Sequence, residues 1–146
     1  IVETLACEFG QETYGPEKTL PCFREALKSY PAYRALVYGY ANALLLAKQP
    51  EEALRFVEGR LQVVMGDYRL YLLQARCYAA LNRRLLQHRA QAEAYLRQGN
   101  LPAAIDQLQT GLKSGDGDFF QLSSAEARLR ELRKLDDENR REAGKR

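Results

Sequence analysis

Residues 49–57 read QPEEALRFV, and thirty-four positions earlier residues 15–23 read GPEKTLPCF. Pro50 then falls on Pro16, Glu51 on Glu17, Leu54 on Leu20 and Val57 on Phe23. The same offset carries Cys7 onto Ala41 and Ala41 onto Ala75, all small residues. It also carries an expected turn at Tyr14-Gly15 onto Lys48-Gln49 and then onto Asn82-Arg83. A register shared by turns, small positions and large positions marks a repeat, and a repeat decides the architecture before any single segment does.

Within each repeat the spacing has a packing reason. Ala41 and Leu44 share one face of a first helix, and Ala53 and Val57 share one face of a second. Small residues let two helix backbones approach, and large ones fill the space beside them. Pro50 supplies the fixed φ of a first helical turn, with Glu51 and Glu52 at its positive end. Tyr30-Pro31 closes the second helix of the first pair and opens the next. The pattern resembles the tetratricopeptide repeat, a helix–turn–helix unit of 34 residues. That resemblance implies an all-α fold, a right-handed superhelix (α-solenoid) of stacked antiparallel helix pairs with a C-terminal capping helix.

The register then shifts. Ala75 to Ala92 is seventeen residues, half a period, and QAEAYLRQGNLPAAIDQL (91–108) restarts the pattern with Ala92, Tyr95, Ala104 and Leu108. One helix over 83–98 therefore packs back on helix 67–81 and also opens a closing hairpin. The expected helices lie near 2–13, 16–29, 32–47, 50–64, 67–81, 83–98 and 101–114. Residues 1–114 form the repeats and 115–122 a linker, within the turn-rich stretch SGDGDF (114–119). Ser123 and Glu126 have the spacing of a capping box, opening a capping helix over 123–135 with Ala125, Leu129 and Leu132 on one face. The charged tail DDENRREAGKR (136–146) is expected to fray into solvent.

With 146 residues, 46% hydrophobic and 28% charged, the chain suits one short folded solenoid. No apolar run approaches the roughly 20 residues of a bilayer span, and no secretory signal opens the sequence. Its start at Ile1 rather than Met reads as a trimmed product or an excerpt. A net charge of +3 is small and unevenly placed, and a nucleic-acid binder usually shows a stronger basic stripe. Arg83, Arg84, Arg89 and Arg97 make one basic helix face, which reads as solvated. Cys7, Cys22 and Cys77 form no CxxC, which argues against zinc and dithiol chemistry. Cys7 and Cys22 lie level about the turn at 14–15, so a disulfide is open. Helix axes about 8–10 Å apart favour buried thiols instead.

Chemistry is sparse. His88 is the only histidine, and no HExxH, GxSxG or phosphate-cradling glycine loop occurs. The GDG at 115–117 is too short for a Ca²⁺ loop. The pairs Glu51-Glu52 and Asp136-Asp137 sit at a helix end and in the tail. The chain is expected to be non-catalytic, with no cofactor of its own. Function then falls to the groove that stacked repeats form. Its expected lining is Tyr38, Asn42, Arg69, Leu72, Arg76, Arg89, Glu93 and Arg97, whose aromatic, amide and guanidinium groups suit an extended segment or a partner helix. Asn42 and Arg76 suggest a clamp for a terminal carboxylate, but the second asparagine of such a clamp falls on Leu73, which argues against it.

From about residue 78 to residue 132, including AEAYLRQG (92–99) and AIDQL (104–108), the sequence resembles the C-terminal repeat region of the β-barrel assembly-enhancing proteases, periplasmic zinc metalloproteases of Gram-negative bacteria. Ala92, Glu93, Ala94, Tyr95, Gly99, Ala104, Ile105, Gln107 and Leu108 carry the match. The resemblance implies a periplasmic protein-interaction domain in outer-membrane β-barrel assembly and quality control. Its partners would be β-barrel proteins and their assembly machinery. An upstream HExxH domain, absent here, would hold the zinc. The odd cysteine count fits an oxidising compartment less comfortably, since one thiol stays unpaired. The alternative is a stand-alone repeat adaptor for envelope assembly or secretion. The register itself is testable: Ala41→Leu and Ala75→Leu are each expected to overpack a close helix contact and lower unfolding stability by about 1–3 kcal/mol in urea titrations.

Overall fold

The computed structural model describes residues 6–8, 10 and 14–145, and every regular element among them is helical. Seven helices are bounded there: α1 (Pro16–Ser29), α2 (Arg34–Leu46), α3 (Pro50–Leu61), α4 (Tyr68–Ala80), α5 (Arg84–Arg97), α6 (Leu101–Leu112) and α7 (Phe119–Gly144). The first six fall within the spans expected from the repeat. The helix expected near 2–13 lies mainly outside the described residues, of which 6–8 and 10 are helical. The chain forms two compact units, Ile1–Val63 and Val64–Arg146.

In the first unit α2 packs on both α1 and α3. Its core joins Leu20 and Phe23 of α1 to Leu36, Ala41 and Leu44 of α2 and to Ala53 and Val57 of α3, all buried. Gly39 is required by this packing, because a Cβ there would lie 2.6 Å from Cε1 of Phe23. Above the core, the Tyr40 and Phe56 rings stack with centroids 4.8 Å apart. Arg24 Nε donates to the Tyr40 hydroxyl at 3.1 Å, which holds the guanidinium above its ordinary pKa. Cys7 and Cys22 are joined in a disulfide, contrary to the expected buried thiols, with Cα atoms 5.7 Å apart. The bridge is possible because the helical segment carrying Cys7 approaches α1 well inside bridging distance. It closes a loop with a sequence separation of 15, for which chain entropy allows about 3 kcal/mol of stabilisation. Cys77 is buried in α4 of the second unit.

In the second unit α4, α5, α6 and α7 pack in chain order, and α5 also meets α7. The core is Leu85 and Ala92 of α5, Leu101, Ala104 and Leu108 of α6, and Ala125, Leu129 and Leu132 of α7. α5 thus packs on both α4 and α6, as the half-period shift required. Gly111 marks a close approach of α6 to α5, since a Cβ there would lie 2.9 Å from Cβ of His88.

The helix ends repeat as strictly as the core. After α2, α4 and α5 the chain turns through a left-handed residue: Lys48 at φ 60°, Asn82 at φ 57° and Gly99 at φ 77°. The following amide then reaches back over the turn, Gln49 to the Leu44 carbonyl at 2.9 Å, Arg83 to Tyr78 at 3.0 Å and Asn100 to Tyr95 at 2.9 Å. These are Schellman closures, which satisfy carbonyls the helix leaves unpaired. They recur at 34 and then 17 residues, the same steps as the small residues.

The C-terminal segment differs from the sequence expectation at both ends. The capping box belongs to Asp118 and Gln121, not to Ser123 and Glu126. Gln121 N donates to Asp118 Oδ1 at 2.7 Å, and Asp118 N donates to Gln121 Oε1 at 3.1 Å. α7 therefore starts at Phe119, inside the span expected for the linker, and Ser123 lies within it. It continues to Gly144 rather than fraying at Asp136. Residues 133–143 contain no glycine or proline, and Arg140 pairs with Asp136 one turn away at 3.1 Å.

The linker ahead of α7 has a structural task. Asp116 accepts from Arg84 N at 2.6 Å and from Leu85 N at 2.8 Å, capping α5 from more than 30 residues away. Burial raises its carboxyl, but these amides and the Ser114 hydroxyl outweigh that and hold it below the usual carboxylate range. Gly117 follows at φ 92°, where a Cβ would meet Leu85 Cδ2 at 2.5 Å. Asp116→Ala is expected to cost about 1–2 kcal/mol of unfolding free energy in urea titrations, the worth of a lost helix cap.

Candidate functional site

The second unit contains a cavity of about 500 Å³ lined by Tyr71, Gln74, Tyr78, Leu86, Arg89, Ala90, Glu93, Arg97 and Arg128. Helix periodicity gathers these residues. Tyr71, Gln74 and Tyr78 are spaced by three and four on α4, as are Leu86, Arg89, Ala90, Glu93 and Arg97 on α5, so each set forms one stripe. Arg128 comes from α7, which is seated by its buried neighbours Ala125, Leu129 and Leu132.

Glu93 is the electrostatic centre. Arg128 grips it with two bonds, Nε to Oε1 at 2.8 Å and Nη2 to Oε2 at 3.1 Å. Arg97, one turn along α5, donates Nη1 to the same Oε2. Burial raises the Glu93 carboxyl, yet the hydrogen bonds and charges of Arg128 and Arg97 prevail and hold it below the usual carboxylate range. In turn Glu93, with Glu131, holds the Arg128 guanidinium above its ordinary value. Arg97 is further fixed by its Nε bond to the Met65 carbonyl at 2.8 Å and by the Tyr71 ring, whose centroid lies 4.3 Å from its guanidinium carbon. Such charge-assisted, forked contacts are the strong kind and hold geometry as well as charge. Arg89 makes no ion pair or hydrogen bond with any described residue.

The eight residues expected to line a groove divide between the two units. Arg89, Glu93 and Arg97 come together at this cavity. Arg69, Leu72 and Arg76 are exposed on α4 but not at the cavity, Arg69 lying 5.7 Å over the Tyr68 ring. Tyr38 and Asn42 are half-buried on α2 of the first unit. The α4 contribution to the cavity is instead Tyr71, Gln74 and Tyr78, two positions further along and so on the opposite flank of the buried stripe of Leu70, Leu73 and Cys77. Two tyrosines seven residues apart were a readable sign of that flank. Nothing local marked Arg128.

His88 pairs with Gln107, Nδ1 to Oε1 at 2.8 Å, beside the close approach of α5 and α6. Among the described residues no group of three or more His, Cys, Asp or Glu side chains is placed to hold a metal, and no helix is long and apolar enough to cross a membrane. Comparison with known protein families and with curated proteins returned no match.

A carboxyl held below its unfolded value stabilises the fold fully above the unfolded pKa and loses that contribution as pH falls through the folded one. Glu93 starts from an ordinary value of 4.5. Glu93→Gln is therefore expected to lower stability at pH 7 by on the order of 1–3 kcal/mol, the range for charged hydrogen bonds. The gap to wild type is expected to shrink as pH falls below about 4.5 in urea titrations.

Proposed function

We propose that the chain is a non-catalytic protein-interaction module of tetratricopeptide type whose second unit holds a partner segment in the cavity between α4 and α5. The observation that carries this reading is the cavity lining, which holds three guanidinium groups and one carboxylate beside two tyrosines and a glutamine. Fixed aromatic and arginine groups suit recognition of a peptide. The repeat reading is supported by burial at the small register positions Ala41, Ala75, Ala92 and Ala104 and by Schellman turns recurring at the same steps.

The module belongs, on this proposal, to a periplasmic protein acting in outer-membrane β-barrel assembly and quality control. The Cys7–Cys22 disulfide supports an oxidising compartment. The stretch from Ala92 to Leu108 supports the link to the assembly-enhancing metalloproteases, where zinc would lie in a separate HExxH domain. Its partners would be β-barrel proteins or their assembly machinery.

A photoreactive benzoylphenylalanine placed at Gln74, or at exposed Glu126 as control, tests this with an outer-membrane β-barrel protein diluted from urea as the probe. Crosslinks are expected from position 74 in clear excess over position 126. Equal labelling, or none from position 74, would overturn the proposed site.

A further inference from the structure

Resting on the reading of this cavity as the binding site, we propose that its ligand is recognised through a carboxylate that pairs with Arg89. Three arginines line the cavity, but two are already committed. Arg128 spends its fork on Glu93 and Glu131, and Arg97 is divided among Glu93, the Met65 carbonyl and the Tyr71 ring. Releasing either for a ligand would strip an ion-pair partner from Glu93, whose side chain is only 18% exposed. Arg89 is different. Glu93 lies one turn further along the same helix, yet it turns its oxygens to Arg97 and Arg128 and leaves Arg89 without an anion among the described residues.

The lining therefore carries an uncompensated positive charge at a known position. A planar guanidinium matches a carboxylate with two parallel bonds, the geometry that Arg128 already forms with Glu93. Gln74, across the cavity on α4, adds an amide able to bond the ligand's backbone. A volume of about 500 Å³ lies in the range of pockets that enclose a small ligand, which suits one acidic residue with its flanking backbone rather than a docked helix. That carboxylate has two sources, an Asp or Glu side chain within a segment or the free end of a chain.

Three pools of fluorescent, N-acetylated hexapeptides separate the outcomes by anisotropy on the full 146-residue chain. They share a randomised Ala/Leu/Tyr/Ser background. The first has Asp at the fourth position and an amidated end, the second Asn and an amidated end, and the third Asn and a free carboxyl end. The Asp pool, the free-end pool or both are expected to bind at least about tenfold tighter than the amidated Asn pool, as a charge-assisted bond allows. Arg89→Gln is expected to erase that preference and Arg89→Lys to keep part of it, with unchanged thermal melting in both. The Arg89 Nε–H NMR signal is expected to shift on titration with the preferred pool. Equal binding of all three pools, abolished by Gln74→Trp, would overturn the carboxylate while leaving the cavity as the site. Binding by no pool, or binding that Gln74→Trp leaves intact, would overturn both.

Discussion

Helix backbones meet closely only where one of them carries no more than a methyl group, and both units depend on that constraint. In the first, Phe23 lies so close to Gly39 that no side chain fits there. In the second, Gly111 gives α6 the same intimacy with Leu85 and His88 of α5. The alanines at 41, 53, 92 and 104 do this work along the rest of the contacts, each nearly or wholly shielded from solvent. Because the small residues recur at steps of 34 and then 17 residues, the turns that deliver each helix to its neighbour must recur with them. The Schellman closures after α2, α4 and α5 do so.

The charged cluster of the second unit is built on this apolar frame rather than beside it. Arg128 reaches Glu93 because Ala125, Leu129 and Leu132 fix the approach of α7 to the hairpin of α5 and α6. One carboxylate thereby gathers two guanidiniums, and their opposition to its burial cost decides its protonation. The third guanidinium is left over. Positive charge in the cavity follows from how the helices pack, because Glu93 is taken up by Arg97 and Arg128 and leaves Arg89 over.

Periodicity made the helices and their buried positions readable from sequence, since a 34-residue recurrence of small and large side chains encodes both. Contacts between distant residues were not readable. Asp116 caps α5 across more than 30 residues, and no local pattern distinguishes it from a loop aspartate. Ser123 has the right spacing for a capping box, but Asp118 and Gln121 close one a turn and a half earlier and displace it. On α4 the expected groove positions Arg69, Leu72 and Arg76 stand two residues, roughly half a revolution, from Tyr71, Gln74 and Tyr78, which line the cavity. The disulfide turned on a distance between Cα atoms, 5.7 Å, where average helix spacing gives the wrong answer for two small residues in close contact.

Surface connections usually accept extra residues, which makes them common places to graft an epitope or split a domain. The segment between α6 and α7 is an exception by construction. Asp116 is anchored to the amides that open α5, Gly117 is pressed against Leu85, and Asp118 begins the next helix immediately afterwards. These three neighbours act as a spacer of fixed gauge, so lengthening or shortening the connector would pull one helix start out of alignment with the other.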